Sequence, residues 1–338
     1  MKKFHTFCVI LGFSLLAFLV WQIGFEELWR QMSLLGWGLV PLILVEIVAD
    51  GLHTVGWRHC LPPALRTLSF HRLFRIRLAG YAINYLTPTA TLGGEVTKGT
   101  LLSLNRAGSD ALTGVIVGKL AYTIAQLLFV SLGTIVTLWH VPLPPGVWPA
   151  MLLCSALLAV GVFGFLLAQK CGKLGAILRW IADHRWAGGR LSTLARKVSE
   201  VDDELRLFYS REPLELPIAI LWHVAGMACG IVQAYYFLYL LSDQASWRLA
   251  AGIWFLGGWF DLMTFAVPLG IGIQEATRIF TLKAVGFDAA MGLAYGITLR
   301  LEQICRSLLG LVCYATLLSE KPSPEREMPP AKGHTERA

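Results

Sequence analysis

The sequence predicts an all-α fold: a polytopic membrane helix bundle of seven to eight spans, with two broken, re-entrant segments built from an internal repeat. Three observations carry this. The first is composition: of 338 residues, 55% are hydrophobic and 15% charged, with a mean hydropathy of +0.59. A soluble domain carries about a quarter charged residues. The second is a set of uninterrupted apolar runs near the roughly 20 residues that cross a hydrocarbon core, where lipid-facing backbone must be helical. The third is a pair of Gly/Pro-broken, charged stretches at matching places in two halves of the chain.

The two stretches are Pro88-Thr-Ala-Thr-Leu-Gly93-Gly94-Glu95-Val-Thr-Lys98 and Pro268-Leu-Gly270-Ile-Gly272-Ile-Gln-Glu275-Ala-Thr-Arg278. Proline and glutamate keep the same spacing in both, and Glu-x-Thr-basic follows. The match continues. Gly108, Asp110, Gly114 and Gly118 recur as Gly286, Asp288, Gly292 and Gly296, each set leading into a long apolar helix. The repeat covers roughly 35 residues at an offset of about 180, inside units at about 84–139 and 264–318. Two unrelated loops sharing glycine and proline are the bland alternative. Charged positions match as well as breakers, which favours the repeat.

Formal net charge is +7 and the pI about 9.1. The basic residues lie in short loops beside spans. Topology and anionic headgroups account for them better than nucleic acid, which is not expected as a partner. The seven cysteines form no C-x-x-C pair and read as reduced packing residues. No H-x-x-x-H spacing occurs, so no metal or other cofactor is expected.

In chain order, Met1-Lys-Lys opens an apolar run from Phe4 to Ile23. It lacks a small-residue cleavage site and reads as a retained first span. The second span, about Gly36 to Trp57, carries Glu46, Asp50 and His53 on one helix face. Intramembrane charges face a bundle interior or water. These three either wall a cavity or close a network between helices. Arg58, His59, Arg66, His71, Arg72, Arg75 and Arg77 form the strongest positive-inside signal. They place that loop, and with it the N-terminus, in the cytoplasm of a cell inner membrane.

Leu78 to Leu92 is apolar but short, and breaks at Thr87-Pro88, where proline lacks a donor and its neighbour avoids helix. A hairpin that enters and leaves on the cytoplasmic side keeps the next basic loop inside. Leu112 to Trp139 is a span carrying Lys119, Tyr122 and Gln126. Trp148 to Ala168 returns. Residues 170–213 read as two amphipathic helices on the inner leaflet, with partner docking as the alternative. Leu214–Leu241 and Trp247–Val267 are further spans. Leu269–Phe287 holds the second broken segment, and Ala289–Leu318 is the last span, with Arg300, Glu302, Gln303 and Arg306. The bundle thus occupies residues 1–319. Residues 320–338 read as a disordered tail.

A broken helix exposes backbone N–H groups where the dipole favours anions. Glycines let a headgroup approach closely. Candidate substrate-binding residues are Glu95, Lys98, Glu275, Arg278, Lys119, Arg300, Asp50 and Glu46. The structural breakers are Pro88, Gly93, Gly94, Pro268, Gly270 and Gly272. The glutamates either take a cationic or hydroxylated group or a proton, or pair with their own Lys98 and Arg278 and close the fold. No catalytic residue is assigned.

These motifs resemble the membrane region of lysylphosphatidylglycerol synthases and related flippase-like integral membrane proteins. Pro88, Gly93, Gly94 and Glu95 match the first-half pattern, and Pro268, Gly270, Gly272 and Glu275 the second. Leu269 stands where the family has its first glycine. The resemblance spans about residues 5–318. It implies transfer of an amphiphilic lipid between leaflets, not lipid synthesis, since full synthases carry a further soluble transferase domain. The long basic loop and single-domain length are compatible with the branch that accompanies hopanoid metabolism. No G-x-x-x-x-G-K-[ST] signature appears. Two other readings stay open. One is a non-catalytic accessory subunit docked on a lipid-biosynthesis enzyme through 169–213. The other is a membrane-embedded transferase acting on a lipid carrier, against which the short, nearly uncharged outside loops count.

Overall fold

A computed structural model describes residues 24–87, 92–104, 108–140, 212–264 and 273–320, with short pieces between 14 and 21 and between 148 and 164. Pro88, Pro268, Gly270 and Gly272 lie outside the described residues. So do most of the first expected span, the amphipathic pair at 170–213 and the tail beyond 320. All regular structure in the described residues is helical.

The helices are α1 (Phe25–Leu35), α2 (Leu39–His59), α3 (Pro63–Arg66), α4 (Phe70–Leu86), α5 (Leu92–Ser103), α6 (Gly108–His140), α7 (Glu215–Leu241), α8 (Trp247–Thr264), α9 (Ile273–Ala284) and α10 (Ala289–Ser319). Four stretches among the described residues are long and apolar enough to cross a membrane: Ser33–His59, Ala111–Thr137, Glu215–Leu241 and Ala289–Ser319. The molecule is a multi-pass membrane protein of helical class. Leu44, Val48, Leu128, Leu132, Ile135 and Val312 stand exposed on these helices, as side chains facing hydrocarbon do.

Two elements differ from the sequence expectation. Residues 25–35, which lie between the first two expected spans, form α1. Phe25, Trp29 and nearby Trp37 are largely exposed, and Phe25 stacks on Trp29. An amphipathic helix rich in exposed aromatics has the composition of a membrane-interface element. The signal was present as Phe25/Trp29 spacing, but the element is too short to span. The second difference is α4, which begins at Phe70, eight positions before the apolar run. Ser69 caps it, its hydroxyl accepting from Arg72 N–H. The basic cluster is therefore largely helical. Arg75 reaches Glu320 at 2.6 Å and Thr316 at 2.8 Å on α10 and its end.

α2 packs along α7, α4 along α10, and α9 along α10. Glycines set the closest approach. A Cβ at Gly310 would collide with the Leu78 carbonyl oxygen and meet the Ala82 methyl at 2.7 Å, so α4 and α10 touch backbone to backbone there. The apolar core splits into two main clusters. One surrounds Trp57, Leu61, Leu73, Leu101 and Leu311. The other surrounds Leu42, Phe237, Ile253, Leu282 and Tyr295. A layer of charged side chains separates them.

At the basic end, Arg66 pairs with Glu212 and, at 3.2 Å, with Glu215, which also meets His59 Nδ1 at 2.5 Å. Cys60 beside them is buried, and burial pushes its thiol up to about 12, so it is unreactive packing. The ion-pair cluster is partly exposed. Glu215→Gln is expected to cost about 1 kcal/mol or less, read as thermal unfolding in detergent. A much larger loss would mean that this cluster carries the docking of α7.

Candidate functional site

The site is built from the polar face of α2 upward. Glu46, Asp50 and His53 share that face, and all three are engaged by other helices. Arg306 of α10 is the hub. Its Nη1 donates to Glu46 at 2.6 Å and to Glu302, one turn back on its own helix, at 2.9 Å. Its Nε lies 3.1 Å from Asp50. Its guanidinium covers the Tyr81 ring at 3.8 Å. Asp50 takes a second base, Arg77 of α4, at 3.2 Å.

Tyr81 leads to the second repeat. Its ring stacks parallel to Tyr85, and the Tyr85 hydroxyl accepts from Arg300 at 3.1 Å. Arg300 is fully buried. It grips Glu275 of α9 with two bonds, at 3.0 and 3.2 Å, the bidentate geometry that a guanidinium makes with a carboxylate. Arg278 does not bond Glu275. It is buried over Gly257 and donates to Asp261 of α8 at 2.5 Å.

Tyr85 also leads to the first repeat, because it lines a cavity of about 290 Å³ with Glu95, Lys98 and Lys119. Lys98 Nζ sits 2.6 Å from Glu95, one turn away on α5, and Lys119 of α6 sits 3.9 Å from it. Arg77, Asn84, Tyr122, His223 and Trp57 complete much of the wall. Asn84 holds the start of α5 in place, its side-chain oxygen accepting from the Gly94 N–H at 2.6 Å. His223 Nδ1 is 2.9 Å from His53 Nδ1, so one ring donates and the other accepts. The wall carries three bases, Arg77, Lys98 and Lys119, against one acid, Glu95.

The two repeats are packed differently. In the second, Gly292 lies against the Ile279 backbone and Gly296 against Glu275, so α9 closes on α10. In the first, the matching Gly114 and Gly118 lie against Leu61 and Trp57. The Trp57 indole donates to the Gly114 carbonyl at 3.2 Å, and Lys98 Nζ sits 5.4 Å over its ring. Trp57 occupies, on the first repeat, the place that α9 takes on the second. The cavity is the space this leaves between α4, α5 and α6.

The expected residues are thus drawn together in one connected layer. Glu95, Lys98 and Lys119 line the cavity. Glu275 and Arg300 touch it through Tyr85. Glu46 and Asp50 stand behind it on Arg306 and Arg77. Arg278 lies apart, beside α8. Among the breakers, Gly94 is buried at the α4–α5 contact, and Gly93 precedes it at the start of α5. Sequence reasoning did not assign Trp57, Arg77, Tyr85, Asn84 or His223 to the site. His223 carries no local signal, since it is a lone polar position in an apolar run, while Tyr85 stands beside Asn84 just before the Thr87-Pro88 break.

A sequence model of the lysylphosphatidylglycerol synthase TM region matches residues 7–310. The chain belongs to that family. Family membership covers both repeats and every helix of the site. A relative within reach of direct comparison is the UPF0104 membrane protein PH1989 of Pyrococcus horikoshii, 23% identical over 306 residues, which are 87% of this chain and 90% of that one. No solved structure matches. For this lysylphosphatidylglycerol synthase TM-region protein, the site's chemistry therefore rests on its own geometry. That geometry is a cation-rich pocket beside a layer of buried ion pairs, in a bundle whose exposed flanks are apolar.

Proposed function

We propose that this protein moves an amphiphilic membrane lipid between leaflets, with the cavity taking its polar headgroup. The observation that supports this reading is the cavity itself: three cationic side chains and one carboxylate, in a bundle with exposed apolar flanks. An excess of positive charge on the wall suits a headgroup with negative charge. The site residues act here by binding, and none is given a catalytic role. The protein is read as a transporter of the inner membrane with its basic end cytoplasmic.

The reading carries a topology. By helix rise, α4 is about 26 Å long and α5 about 18 Å, both short of the roughly 30 Å core. They pack on each other through Gly94 and Gly80. Together they serve as a re-entrant hairpin that delivers Glu95 and Lys98 to mid-bundle, in a bundle of seven to eight spans.

Lys119 tests the reading because it lines the cavity, 3.9 Å from Glu95. Lys119→Met is expected to slow the flipping of a fluorescent phosphatidylglycerol in proteoliposomes about tenfold, the worth of one charge-assisted contact. Flipping would be followed by reduction of the outer-leaflet dye. Wild-type vesicles no faster than empty ones with any headgroup tried would sink transport as the function. A variant as fast as wild type would remove the cavity from the path.

A further inference from the structure

A second cavity, about 270 Å³, lies between α6, α7 and α8. It shares one wall residue, Tyr122, with the headgroup cavity. The two are stacked along the same helix faces. On α6 the face runs from Gly118 and Tyr122 to Gln126 and Phe129. On α7, His223 lines the first cavity and Met227, one turn on, the second. Tyr122 packs its ring against both His53 and His223, which fixes it as the partition.

The second cavity has a different chemistry. Phe129, Val130, Met227, Trp254 and Phe255 make most of its wall apolar; Gln126 and Asp261 are its polar members, and Asp261 is taken up by Arg278. The aromatic walls are drawn back against glycines: a Cβ at Gly133 would collide with the Phe255 ring, and one at Gly230 with the Trp254 ring. The rings therefore lie against helix backbone and leave the space between them open. Gly258 lines that space and has nothing within 4 Å of where its Cβ would be. Both α6 and α7 are long and apolar enough to cross a membrane, which puts the groove at a depth where lipid chains surround the bundle.

The geometry points to this groove as the site for a hydrocarbon chain of the same lipid whose headgroup enters the cavity, with Tyr122 at the junction of head and tail. The inference rests on the lipid-transport reading and adds the tail subsite and the boundary residue. Continuity decides the occupant. A polar and an apolar compartment end to end on two helices match an amphiphile lying along them.

The test uses the full-length protein in phosphatidylcholine vesicles doped with phosphatidylglycerol that carries a mid-chain diazirine. After illumination, adducts are mapped by residue. Adducts are expected at Phe129, Met227 and Trp254 above the level at lipid-facing Leu132 and Ile135. Gly258→Leu adds bulk to the groove from a position where a Cβ meets no atom, and Met227→Phe adds bulk from α7. Either is expected to bring the groove adducts down to the lipid-facing level while Leu132 and Ile135 stay labelled. Groove labelling no higher than at Leu132, unmoved by both variants, would overturn the inference. So would a Met227→Cys protein that a bismaleimide links to a second copy above the wild-type level while the groove gives no lipid adduct, which would make a second copy the occupant. Flipping is read on the same vesicles. Flipping without groove adducts fails this inference alone. Groove adducts without flipping in the wild type fail the transport reading and leave the groove a lipid site.

Discussion

Arg306→Leu is expected to destabilise the bundle by about 3–5 kcal/mol, the cost of breaking a buried ion pair from one side. The guanidinium is the shared partner of Glu46, Asp50 and Glu302. Arg77 remains on Asp50, but nothing else in the described residues takes its place at Glu46 and Glu302. Three carboxylates would then stand between two apolar clusters with one base among them. Arg306→Lys restores charge but not a planar fork that reaches three acids, so it should fall between. Adding Glu302→Gln to Arg306→Leu removes one of the stranded acids and is expected to recover part of the loss. Thermal unfolding in detergent measures all four proteins. An Arg306→Leu protein as stable as wild type would show that these acids hold each other by shared protons, without the arginine.

Gly94→Ala is the second large effect, expected at about 1–3 kcal/mol from overpacking. Its Cβ would collide with the Gly80 carbonyl oxygen and the Asn84 side chain, both on α4. The backbone cannot yield there without moving α5, and α5 carries Glu95 and Lys98. Flipping should therefore fall even where the protein still folds. Gly99 on the same helix is the control. A Cβ there meets only Val115 Cγ2 at 3.9 Å, an ordinary contact, and alanine gains up to about 1 kcal/mol in helix propensity. Opposite signs at two glycines five positions apart are the signature of a close crossing. Equal effects would mean that the α4–α5 contact does not position the site.

Charged and apolar layers explain why some of this was readable in one dimension. Charged residues inside apolar runs are rare enough that each of Glu46, Asp50, Glu95, Lys98, Lys119, Glu275, Arg278, Arg300, Glu302 and Arg306 announces itself. The cost of leaving a charge unpaired in a membrane makes them gather. The sequence could not say with whom. Lys98 pairs within its own turn, whereas Arg278, its repeat counterpart, crosses to Asp261. Glu275 reaches 25 positions along to Arg300.

The sequence by itself determined the helical class, the family and four long spans, and it displays the matched motifs and the charged positions within apolar runs. Hydropathy and motif spacing are local properties, and the membrane enforces them segment by segment. Only the tertiary structure decided that one repeat is closed and the other open. Gly114 and Gly118 match Gly292 and Gly296 letter for letter, yet Trp57 from α2 lies on the first pair and α9 on the second. Which surface a glycine face accepts depends on which helix arrives there, and that is set by the packing of the whole bundle.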